Sequence, residues 1–135
     1  MFRLTKGKCL TALMTARFGL AALAWFAPGL AGRVIHVDVE ANPALPYVMR
    51  LFGARDALMG ILLVQTRGRT RDRQLWYGIA IDSIDASAAV IAGIGRQLSR
   101  RGAILSAGAS LLGASLGVGA LGRGPLVARD NRQIT

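Results

Sequence analysis

The chain has 135 residues, of which 53% are hydrophobic and only 18% charged, with a formal net charge of +10. That apolar content excludes a disordered basic tail, and its concentration in long runs argues against an ordinary soluble domain. A single cysteine excludes an internal disulfide, and one histidine beside one cysteine excludes a Cys/His zinc cluster.

Four segments approach the ~20 apolar residues that cross a bilayer. They are 9–27, 47–65, 75–95 and 103–121. The expected fold is all-α, a transmembrane four-helix bundle with short loops, formed as one unit over 1–122 and followed by a polar tail, 123–135. Short connections predict that consecutive spans are antiparallel neighbours.

The first segment is closed by Pro28 and Gly29. Arg3, Lys6 and Lys8 precede it, as in the basic region of a signal peptide, but Arg17 interrupts the apolar run and no small-x-small cleavage site follows. An uncleaved span is the preferred reading. Cys9 near the start reads as a small apolar residue, with lipidation as the alternative.

The connector from Gly32 to Pro46 alternates apolar and polar residues from Val34 to Val39 and carries Pro43 and Pro46. It reads as a strand-like or interfacial segment, since the prolines oppose a long helix. The alternation places His36, Asp38 and Glu40 on one face of an extended chain. Three mixed ligands in a loop are a weak metal signal, and an exposed polar edge is the simpler reading. No metal and no cofactor is expected.

In the second segment Met49, Gly53, Asp56 and Gly60 share one side of a helix, and small residues there admit close backbone approach. Arg67, Arg69, Arg71 and Arg73 follow as a basic loop. They orient the chain, and they are also suited to anionic lipid head groups. In the third segment Gly78, Asp82, Asp85, Ala86, Ala89 and Gly93 form a polar, small-residue stripe. Gly93-x-Gly95 marks a helix end and not a phosphate loop, since no strand precedes it. The fourth segment is rich in Gly, Ala and Ser. Ala109, Gly113 and Gly117 make one small-residue ladder, and Ser106, Ser110 and Ala114 another. These faces suit packing within the bundle, or a contact with a partner or second copy.

Arg3, Lys6, Lys8, the Arg67–Arg73 run, Arg123, Arg129 and Arg132 would all be cytoplasmic in an N-in, C-in arrangement, against Arg33, Arg96, Arg100 and Arg101 outside. Trp25, Trp76 and Tyr77 fall near the interfaces, where aromatic belts form. The basic residues lie at span ends and lack an interleaved aromatic platform, so nucleic-acid binding is not expected.

Arg17, Arg50, Arg55, Asp56, Asp82 and Asp85 lie inside the spans, and their formal charges cancel. An isolated Asp or Arg at a span centre costs about 2.5–3.5 kcal/mol, so such residues face inward and pair. At ~1.5 Å per residue, Arg17 and Asp82 fall at one depth and Arg55 and Asp85 at another. Depth therefore predicts the pairs Arg17–Asp82 and Arg55–Asp85. Arg50 snorkels toward the outer surface. Asp56 points about 100° away from Arg55 and can meet Arg17 from the other side.

The run Leu51-Phe52-Gly53-Ala54-Arg55-Asp56-Ala57-Leu58-Met59-Gly60 resembles the FGARD-x3-G signature of a family of small, uncharacterised bacterial membrane proteins with four predicted spans. That family also carries a proline after its first span and a D-x2-D pattern later, matched here by Pro28, Asp82 and Asp85. More loosely, the architecture is similar to the DoxX-like superfamily, some members of which are linked to quinone or thiol redox chemistry. The resemblance implies a helical fold in a bacterial cytoplasmic membrane and imports no activity.

No nucleophile–base set is present, and no catalytic residue is expected. Three function classes remain. The first is an accessory or structural subunit that docks on a larger membrane protein or a second copy, with the buried charges as folding contacts. The second is a bundle handling a small molecule, a lipid or protons through Asp82 and Asp85. The third, by DoxX-like analogy alone, is a quinone-linked oxidoreductase subunit. The second class predicts a cavity that reaches Asp82 or Asp85.

Overall fold

In the computed structural model, residues 5–122 are described, and they form five helices and no strand. These are α1 (Lys6–Phe26), α2 (Pro28–Val34), α3 (Leu45–Gln65), α4 (Gly68–Ile94) and α5 (Arg100–Ala120). Arg3 and the polar tail with Arg123, Arg129 and Arg132 lie outside the described residues.

Local chemistry sets the helix ends. The Thr5 hydroxyl accepts from the Lys8 N–H at 3.3 Å and caps α1. Ala27 is displaced from helical geometry (φ −131°, ψ 56°) because Pro28 follows, which separates α1 from α2. Pro28 and Pro46 sit in the first turns of α2 and α3, where a missing N–H costs nothing. Ser99 caps α5 by accepting from the Gly102 N–H at 3.0 Å.

Helices α2 and α4 end alike. His36 and Arg96 adopt left-handed backbone (φ 54° and 55°). The next residues, Val37 and Gln97, donate back to the carbonyls of Gly32 and Ala92 at 2.9 Å. This is the six-to-one closure that usually recruits glycine.

Three helices, α1, α4 and α5, are long and apolar enough to cross a membrane. Helix α3 has the same 21-residue length as α1 and α5 but carries Arg50, Arg55 and Asp56. The expectation of four such spans is met by three. At 27 residues, α4 is ~40 Å long and exceeds a ~30 Å hydrocarbon layer.

Several boundaries differ from those expected. Arg69, Arg71 and Arg73 are not in a loop: they occupy the first turns of α4, and only Thr66 and Arg67 separate α3 from α4. The Arg71 Nε donates to the Thr66 carbonyl at 2.7 Å and braces that corner. The start of the anticipated strand-like connector, from Gly32 to Val34, is the end of α2. Beyond it the chain turns, with the Asp38 carboxylate accepting from the N–H groups of Glu40 and Ala41. Arg100 and Arg101, expected ahead of the last span, form its first turn.

Consecutive order does not dictate packing. Helix α4 packs most extensively on α5, and α1 on α3, with α1 also against α5; α3 and α4 touch only sparsely. Helices α3 and α4 are thus loosely packed neighbours bridged by Arg55 and Asp85, and a cavity opens between them. Toward the end formed by the starts of α1 and α4, Cys9, Leu13, Leu63, Leu75, Leu116 and Ala120 make an apolar core. Gly122 lies beside Lys6, so the described ends of the chain meet there.

Candidate functional site

One helical level beyond that apolar core, the four long helices each present one residue: Arg17 from α1, Asp56 from α3, Asp82 from α4 and Gly113 from α5. Arg17 is 4% exposed and Asp56 2%. The Arg17 guanidinium donates through Nη1 to Asp56 Oδ1 and through Nη2 to Asp82 Oδ2, each at 2.8 Å. A planar fork with fixed donors can hold two carboxylates from different helices at once, which a lysine ammonium matches poorly.

Glycines make this level possible. A Cβ on Gly113 would lie 2.7 Å from Asp82 Oδ2, so α5 cedes its side chain to the carboxylate. A Cβ on Gly78 would lie 3.2 Å from Arg17 Nη2. Gly53 and Gly60 seat α1 on α3: the first lies under the Ala21 carbonyl and the second under the Phe18 ring. Gly117 lies against Ile79. Of the small-residue ladder on α5, Gly113 and Gly117 thus face α4, while Ala109 is exposed.

A second pair stands one turn away. Arg55 grips Asp85 through both terminal nitrogens, at 3.1 and 2.6 Å. Its guanidinium carbon also sits 4.6 Å from the centroid of the Phe52 ring, within cation–π range. This pair is partly exposed, unlike the Arg17 level. Both pairings that depth predicts are present, and Asp56 reaches Arg17 as anticipated.

Arg50 stands apart. It is exposed, and its Nε donates to the Trp25 carbonyl at 3.3 Å, near the other end of α1. The clustered charges are therefore Arg17 and Arg55 against Asp56, Asp82 and Asp85. The balance of the whole set, zero from sequence, does not hold for the cluster, which is formally one negative charge in excess.

A cavity of about 430 Å³ opens between α3 and α4 and is backed by α1 and α5. Its walls include Leu58, Met59 and Leu62 of α3 and Tyr77, Gly78 and Ile81 of α4, and it reaches Arg17, Arg55 and Asp82. The volume is within the range of small-molecule sites, which are mostly apolar with a few convergent polar groups. Arg17 Nε and Arg55 Nε are both buried and without a hydrogen-bond partner.

The other candidates disperse. His36 and Glu40 are exposed, and Asp38 closes its own turn. Among the described residues no group of three His, Cys, Asp or Glu is gathered to hold a metal. Cys9 is 0% exposed inside the apolar core, which leaves its thiol no access for a lipid chain and removes the lipidation alternative. Arg67, Arg69 and Arg73 are exposed around the α3–α4 corner. Reading the sequence missed the cavity walls. Gly78 was visible on the stripe with Asp82, but no pattern signalled that α3 and α4 stand apart. The chain matches no family model, no curated protein and no solved structure.

Proposed function

We propose that the chain is a small multi-pass membrane protein that takes up a small membrane-borne molecule between α3 and α4. The cavity ending on Arg17, Arg55 and Asp82 carries this reading. Helix α3 would cross with α1, α4 and α5, its Arg55 and Asp56 covered by Asp85 and Arg17. The proximity of Lys6 and Gly122 supports both described ends on one side, which the basic residues suggest is cytoplasmic. Kinship with the small bacterial FGARD-x3-G proteins rests on residues 51–60 together with Pro28, Asp82 and Asp85.

The test is a purification from native membranes, followed by mass spectrometry of the extracted small molecules. A species enriched over bulk lipid, and lost when Gly78→Leu fills the cavity in a protein that still folds, supports the reading. An extract identical to bulk lipid, or unchanged by Gly78→Leu, overturns it.

A role as an accessory subunit is the second reading. It is favoured by the outward face of α5, where Gly108, Ala109 and Ser115 lie exposed among Leu105, Leu111 and Leu112. A larger polypeptide in constant ratio in the same preparation would support it, and a chain purifying alone in mild detergent would overturn it.

A further inference from the structure

What the cavity holds follows from its place beneath the basic α3–α4 corner, so the inference rests on the uptake reading above. The surface inside it is almost wholly apolar: Leu58, Met59 and Leu62 of α3 stand across from Tyr77 and Ile81 of α4. Arg17, Arg55 and Asp82 lie at the end away from the corner, with their charged ends committed to ion pairs. Such a space accepts hydrocarbon and penalises an unpaired polar group.

The end nearest the corner differs. Arg71, Gln74, Gly78 and Ile81 are spaced three, four and three residues apart, so they follow one stripe of α4, and the last three of them line the cavity. Arg71 therefore stands directly over it. Arg71 is half-buried, and its Nε is committed to the Thr66 carbonyl. Its two terminal nitrogens make no hydrogen bond or ion pair among the described residues. Arg67, Arg69 and Arg73 are exposed around it, and Asp72 is the one acid of the corner.

Depth matches a lipid. At ~40 Å, α4 exceeds the hydrocarbon layer by about 10 Å, or about seven residues. Its first turns carry Arg69, Arg71, Asp72 and Arg73, whereas its other end runs through the exposed apolar residues Val90, Ile91 and Ile94. The overhang thus lies at the corner, in the head-group layer, and the exposed Trp76 and Tyr77 mark the boundary below it. Down one stripe, the protein offers a guanidinium at the depth of a phosphate, the Gln74 amide at the depth of ester carbonyls and an apolar slot at the depth of an acyl chain. Four arginines against one aspartate favour a head group of net negative charge over a zwitterionic one, whose ammonium they repel.

We propose that the α3–α4 cavity and the corner above it form one site for an anionic phospholipid, with the phosphate on Arg71 and one acyl chain between α3 and α4. The lipid enters sideways from the bilayer, and its head group never leaves the interface.

The test uses the full chain in phosphatidylcholine nanodiscs with two probes at equal mole fraction, a phosphatidylglycerol and a phosphatidylcholine bearing the same diazirine-labelled acyl chain. Adducts are mapped by mass spectrometry on the wall (Leu58, Met59, Leu62) and on Ile61 and Ile84, exposed apolar positions outside the cavity. The expected result is wall labelling at least about tenfold stronger with the anionic probe, as several arginines beside one negative head group imply. Arg71→Gln keeps a donor for the Thr66 carbonyl and is expected to reduce that preference at least about threefold, while Lys8→Gln, which removes the same charge from the start of α1, leaves it unchanged.

Equal wall labelling by the two probes overturns the anionic proposal and leaves the uptake reading standing. Equal losses in Arg71→Gln and Lys8→Gln overturn the assignment to Arg71 in favour of a diffuse field. Displacement of the anionic probe by soluble glycerol 3-phosphate as strong as by unlabelled phosphatidylglycerol overturns the seat for the chain. Labelling by both probes no denser on the wall than at Ile61 and Ile84 overturns the phospholipid proposal, and the extraction experiment above then decides the uptake reading separately.

Discussion

Arg17 and Asp82, 65 residues apart in the chain, meet at 2.8 Å, and the same guanidinium holds Asp56 at the same distance from its other terminal nitrogen. One side chain thereby ties α1 to both α3 and α4, the two helices that touch each other least among consecutive long elements. Without this tie, the walls of the cavity between α3 and α4 would be joined by the partly exposed Arg55–Asp85 pair and otherwise held by the packing of α1 and α5.

Removing Arg17 leaves two carboxylates buried without their cation, and breaking a buried pair costs about 3–5 kcal/mol. Arg17→Gln is expected to lose at least that much stability in a denaturation series in mixed micelles. Arg55→Gln is expected to cost less than Arg17→Gln, because it frees one carboxylate, that of the partly exposed Asp85, and not two buried ones. Equal losses would show that the two pairs do not differ in burial.

The carboxylate of Asp82 rests against Gly113, while nothing lies within 4 Å of a Cβ placed on Gly108 of the same helix. Gly113→Ala is expected to displace Asp82 and cost about 1–3 kcal/mol, as overpacking does. Gly108→Ala is expected to stabilise by up to about 1 kcal/mol through helix propensity. The opposite signs within one helix are the check, read by thermal denaturation of both variants.

His36 holds a left-handed backbone that non-glycine residues reach at a cost of about 1–2 kcal/mol. Its imidazole is exposed, so little packing is lost on removal. His36→Gly is expected to raise stability by about 0.5–1 kcal/mol after the larger chain entropy of glycine is subtracted. A loss of stability would mean that the side chain makes a contact of its own.

Cys9 packs with Leu13, Leu75 and Ala120 and has no exposed surface. N-ethylmaleimide is expected to leave it unmodified in the folded protein and to modify it fully after unfolding in sodium dodecyl sulfate. Its reaction rate then reports opening of the end of the fold where α1, α3, α4 and α5 meet. Fast modification under native conditions would contradict the burial.

The helical architecture was legible because its cause is local. Apolar runs of helical length, prolines at 28 and 46 and capping residues at 5 and 99 act within a turn or two of chain. The pairs were legible because a helix rises by a constant amount per residue, so depth follows from counting, and buried opposite charges at one depth have few other partners. The extent of α4 was less so, since Arg69, Arg71 and Arg73 read as a loop by composition, although helix needs no apolar residues where it leaves the packed region. Lateral arrangement belongs to the tertiary structure alone. That α4 lies on α5 and stands off from α3, that the outward-reaching Arg50 finds the Trp25 carbonyl, and that a cavity forms beside Arg17 and Arg55 all depend on how helix faces fit one another. Those fits are decided by contacts between residues far apart in the chain, at Gly53, Gly60 and Gly113 above all, and no count along the sequence contains them.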